Sequence, residues 1–79
     1  MQDYKDTNKI FGHNLKHLMN ERGITYEELE KATGVPHTSL NEYTRGMRAV
    51  RLITAKKIAA YFGLTVDKMT DPMEGINGS

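Results

Sequence analysis

Seventy-nine residues with no cysteine and a hydrophobic share of 38% leave room for one domain with a small core, and rule out a disulfide framework or a thiolate zinc site. Nothing resembles a signal peptide or an apolar run able to cross a bilayer, so a cytoplasmic location is expected. The net charge of +1 hides an uneven distribution: residues 36–57 hold Arg45, Arg48, Arg51, Lys56 and Lys57 against Glu42 alone, while the remainder carries six basic and nine acidic residues. That asymmetry predicts one basic face on a nearly neutral molecule.

In chain order, residues 1–7 are polar without periodicity and are expected to form a flexible arm. From Asn8 to Arg22, the residues Ile10, Phe11, Leu15, Leu18 and Met19 fall on one side of a helix, with Thr7 or Asn8 as its cap and Gly23 as its stop. His13 and His17 have a chelating spacing, but with no third ligand evident no metal or other cofactor is expected.

Thr25 followed by Glu28 is a capping box, flanked by Ile24 and Leu29 as a hydrophobic staple, so a second helix starts at Tyr26. Gly34 suits the positive φ just past a helix end, and Pro36 is preset for the first turn of a third helix. That third helix carries His37, Thr38, Ser39, Asn41, Glu42 and Thr44, with Leu40 and Tyr43 anchoring one side. Isolated helices below about 12–15 residues are marginal in water, so a scaffold must display it. Mixed donors and acceptors followed by Arg45, Arg48 and Arg51 suit base edges read between two rails of phosphate.

Residues 46–50 read as a loop. Leu52, Ala55, Ile58, Ala59 and Phe62 then share one stripe of a fourth helix that Gly63 ends. Thr65 caps a short fifth helix, with Asp67 at its positive end and Val66 and Met69 facing inward, and Asp71-Pro72 stops it. The expectation is an all-α, compact five-helix domain over residues 8–71, followed by a flexible tail or linker over 72–79. Its core is Ile10, Phe11, Leu15, Leu18, Ile24, Leu29, Val35, Leu40, Leu52, Ile58, Phe62, Leu64, Val66 and Met69.

The set Ile24-Thr25, Glu28-Leu29, Gly34-Val35, Thr38-Ser39-Leu40, Arg45-Gly46, Lys57-Ile58-Ala59 and Gly63-Leu64-Thr65-Val66-Asp67 resembles the phage repressor and Cro (XRE-type) helix-turn-helix, the lambda-repressor-like domain. The resemblance spans roughly Asn8 to Thr70 and places the helix-turn-helix at helices two and three. It implies that His37, Thr38, Asn41 and Glu42 contact bases. It further implies that Arg45, Arg48 and Arg51 meet the DNA backbone, with Thr25, Tyr26, Ser39 and Tyr43 as further phosphate contacts. His37 would donate to guanine, Thr38 touch a thymine methyl or a phosphate, Asn41 pair with adenine and Glu42 accept from cytosine or bridge to an arginine. Two positions depart from the pattern: Pro36 stands where a serine or threonine usually caps the third helix, and Glu30 stands where a close helix crossing usually demands alanine.

By this resemblance the chain is expected to be a sequence-specific double-stranded DNA-binding transcriptional regulator of phage or bacterial repressor type, nucleoid-associated. It would act as a homodimer on a twofold-symmetric operator, with Val66, Met69 and Met73 as candidate dimer contacts and Tyr61 and Ile53 as further exposed apolar possibilities. The alternative is a protein-interaction module on the same fold, of antitoxin or anti-repressor-binding type, with DNA secondary. Catalysis is not expected: no nucleophile–base pair, phosphate loop or metal-ligand set is present.

Overall fold

In the computed structural model, which describes residues 4–71, the chain forms five α-helices and, among the described residues, no strand. They are α1 (Tyr4–Arg22), α2 (Tyr26–Thr33), α3 (His37–Thr44), α4 (Leu52–Tyr61) and α5 (Val66–Met69). Helix α1 begins at Tyr4, not at Asn8. The segment from Tyr4 to Thr7 contains neither glycine nor proline, so hydrogen-bonded backbone continues through part of the expected arm. Asn8 is therefore not a cap; its Oδ1 accepts from the Val50 N–H at 3.3 Å and ties the loop before α4 to α1.

The helix ends follow local chemistry. At α2 the capping box is complete: Thr25 Oγ1 accepts from Glu28 N, and Glu28 Oε1 accepts from Thr25 N at 2.9 Å. Gly34 closes α2 at φ 79°, a left-handed conformation that carries no Cβ penalty in glycine. Thr65 Oγ1 caps α5 by accepting from Lys68 N.

The core is built from Phe11, Leu15, Leu18 and Met19 of α1, Leu29 of α2, Leu40 and Tyr43 of α3, Ala55, Ile58 and Ala59 of α4, and Val35, Phe62 and Met69. Ile24, Leu64 and Val66 pack against it, partly buried. Leu52, expected inside, is 63% exposed. It is the first residue of α4, and a helical Cβ leans toward the helix N-terminus, so its side chain runs past the edge of the core while Val50 packs there instead.

Three features of α1 hold this arrangement. Gly12 is buried where α1 crosses α3: a Cβ there would overlap the Tyr43 carbonyl oxygen and lie 3.3 Å from Thr44 Cα. Asn14 is fully buried, and its Nδ2 donates to Met69 O at 2.8 Å and to Asp71 O. It thereby satisfies carbonyls at the end of α5 that no helical N–H can reach. Arg22, at the end of α1, donates to Phe62 O at 3.1 Å and lies over the Phe62 ring, which fastens the end of α4.

Candidate nucleic-acid interface

Helix α3 is amphipathic by position. Leu40 and Tyr43 face the core, whereas His37 and Thr38 are exposed and Asn41 and Glu42 are half-buried. These four residues line one open groove, of about 340 Å³, together with Tyr26, Glu27, Arg45 and Met47. Tertiary structure thus brings together all four residues expected to contact bases, with one arginine beside them. It also sets Glu27 and the exposed Met47 there, residues to which the sequence reading assigned no role.

The two departures from the family pattern compensate each other. Pro36 is the N-cap of α3, with φ −56° and ψ 140°, and offers no side-chain acceptor to the orphan N–H groups of the first turn. Glu30 reaches across the turn from α2 instead. Its Oε1 accepts from His37 N at 3.3 Å and from His37 Nδ1 at 2.8 Å. A residue expected to strain the helix crossing therefore serves as a surrogate cap. The signal in the sequence was the pairing of a missing cap with an acidic residue one helix upstream.

Hydrogen bonding to the His37 side chain holds the Glu30 carboxyl below its ordinary value. A carboxylate with a lowered folded-state pKa contributes stability above its unfolded pKa, and that contribution is lost as pH falls through the folded value. Acidification below about pH 4.5, the ordinary glutamate value, should therefore lower the melting temperature more in the native chain than in Glu30→Gln. Parallel melting curves of the two proteins across that range would not support the cap.

The phosphate set divides. Tyr43 is 6% exposed and packs in the core, so it anchors α3 and does not face a backbone. The Thr44 hydroxyl donates to Asn41 O at 2.8 Å, which makes Tyr26 the donor in its 2.9 Å bond to Thr44 Oγ1 and leaves the Tyr26 hydroxyl no proton for a phosphate. Lys16 Nζ stands over the same ring, 5.9 Å from its centre. Thr25 Oγ1 turns its proton to Glu28 at 3.2 Å. Ser39 is half-buried, and Arg45, Arg48 and Arg51 are exposed, at the C-cap of α3, in the following loop and at the N-cap of α4. Arg48 Nε donates to Glu42 Oε1 at 2.6 Å, which draws Glu42 toward the arginine and raises the guanidinium pKa further.

Of the dimer candidates, Met69 is fully buried in the core, Val66 is half-buried against it, and Met73 lies outside the described residues. Met69 offers nothing to a second copy, because α5 is only four residues long and uses this side chain to dock on the domain. Ile53 and Tyr61 are exposed, as are Met47 and Leu52 among the large apolar side chains of the described residues.

A short polar helix held outward by a brace helix, across a glycine turn, defines a helix-turn-helix protein. The helix-turn-helix family model matches residues 15–69, and the chain belongs to that family, in its lambda-repressor-like form, a family of transcription regulators. It is 30% identical over 69 residues to the uncharacterized HTH-type transcriptional regulator y4dJ of Sinorhizobium fredii, covering 87% of this chain and 90% of the relative. The hypothetical transcription factor NHTF from Neisseria superimposes with a TM-score of 0.82 at 21% identity, covering 100% of this chain and 92% of the other. The clp gene regulator ClgR from Corynebacterium glutamicum gives 0.75 at 22% identity, covering 91% and 74%. No helix among the described residues is long and apolar enough to cross a membrane.

Proposed function

We infer that the chain is a sequence-specific double-stranded DNA-binding regulator, of repressor type, that lays α3 in the major groove. The observation that carries this reading is the composition of the outward side of α3. His37, Thr38, Asn41 and Arg45 share one groove, and the exposed Arg48 and Arg51 follow in the chain, in the loop after α3 and at the N-cap of α4. Thr38 offers a methyl and a hydroxyl to a thymine or a phosphate, and Asn41 an amide able to pair with adenine. Glu42 acts through Arg48, setting the guanidinium beside the helix, and is removed from the base-reading set. Ser39 and the three arginines supply the backbone contacts.

One helix of eight residues reads few base pairs, so a homodimer on a twofold-symmetric site, with half-sites about 34–36 Å apart, completes the reading. Selection of bound duplexes from a random pool at moderate salt should return a palindromic motif. Thr38→Ala and Asn41→Ala should each relax one position per half-site. Arg45→Ala and Arg51→Ala should weaken all sequences alike and each reduce the salt slope by about one. Equal binding of every duplex, or indifference to both arginines, would favour a protein-binding module on this fold.

A further inference from the structure

The contact that caps α3 also commits one side of a groove residue. Glu30 Oε1 lies 2.8 Å from His37 Nδ1, and an ionised carboxylate only accepts, so the shared proton resides on Nδ1. The lowered pKa of Glu30 keeps that carboxylate ionised. The side chain of His37 is 52% exposed and lines the groove beside Thr38 and Asn41, and among the described residues its Nε2 has no partner.

We propose that Glu30 is a positioning residue for base selection: it fixes His37 in the Nδ1–H form, so that Nε2 alone meets the DNA, as an acceptor when the ring is neutral and as a donor when it is protonated. This rests on the reading that α3 enters the major groove. A neutral ring in this form selects an exocyclic amino group, adenine N6 or cytosine N4, and cannot donate to guanine as the sequence reading expected. Protonation adds an Nε2–H and turns the same atom toward guanine O6 or N7, or thymine O4. Without Glu30 the neutral ring can place its proton on either nitrogen, and the distinction is lost.

The ionisable groups around the ring are Glu30, Glu27 and Tyr26 from α2, Glu42 and Arg45 from α3 and its cap, Arg48 bound to Glu42, and Lys16 of α1 over Tyr26. Three carboxylates therefore stand near the imidazole.

The test uses the whole chain in two measurements. Nitrogen-15 NMR of the imidazoles at pH 8.5 should show His37 protonated at Nδ1 and bare at Nε2. In Glu30→Gln the amide still accepts from the His37 backbone N–H, so α3 keeps its start, but it can also donate to Nδ1, and a tautomer mixture is expected. Selection from random duplexes at pH 8.5 and at pH 5.5 should change one base per half-site from adenine or cytosine to guanine or thymine. Its preference should shift by roughly two- to tenfold, the worth of one hydrogen bond. That shift should be absent in His37→Ala and blunted in Glu30→Gln. An Nε2–H tautomer at pH 8.5 overturns the positioning role whatever the DNA result. A palindromic motif with the same base at both pH values overturns the base selection while leaving the DNA reading intact. An Nδ1–H ring with no enriched motif at either pH overturns the DNA reading and the base selection together.

Discussion

Gly12→Ala should destabilise the domain by at least about 1–3 kcal/mol, and Gly12→Val should abolish cooperative folding at 37 °C. The direction is opposite to helix propensity, since alanine in an open helix interior is better than glycine by about 1 kcal/mol. Packing decides the sign. The added Cβ would meet main-chain atoms of Tyr43 and Thr44, not the end of a flexible side chain, so α1 and α3 must move apart. A domain of this length has of the order of 4–12 kcal/mol in total, which leaves little room for a valine at that crossing. Urea denaturation followed by circular dichroism reads both effects, and a Gly12→Ala midpoint at or above the native one would refute the close approach. Because α3 rides on this crossing, Gly12→Ala should also lower DNA affinity by more than its unfolded fraction explains.

The second large effect separates the two sides of α3. Leu40 is fully buried, and Leu40→Ala removes its packing and leaves a cavity, at a cost of about 2–5 kcal/mol. Thr38, two residues earlier, is exposed and its hydroxyl has no hydrogen-bond partner among the described residues, so Thr38→Ala should change stability by no more than about 0.5 kcal/mol. In duplex selection the order reverses. Thr38→Ala should alter the motif, whereas folded Leu40→Ala should keep the same motif with weaker occupancy. Equal losses of stability in the two variants would mean that α3 is not oriented with Leu40 inward.

The start of α1 was misplaced, but the ends of α2, the start of α5 and the identity of the family were legible in the residues because they depend on short-range chemistry. The Thr25–Glu28 box, Gly34 at the end of α2 and Thr65 at the start of α5 each act within one helical turn. The stripe Ala55, Ile58, Ala59 and Phe62 repeats at the helical period and is buried as that period requires. What the sequence left open concerns partners brought together only by packing. Gly12 lies beneath Tyr43, Asn14 holds the end of α5 from a position 55 residues away, and the Tyr26 hydroxyl is taken by Thr44. Periodicity assigns a side to Leu52 but cannot show where the core ends, and it assigns polar residues to α3 without saying which already have partners. Glu30 shows the difference most directly. As a letter in the chain it was a misfit at a tight crossing; across the folded turn its carboxylate is the cap that Pro36 cannot provide. Local propensities and the hydrophobic period determined the elements and their order, while hydrogen-bond partnership and burial, which require distant segments at fixed separations, were decided only when the helices packed.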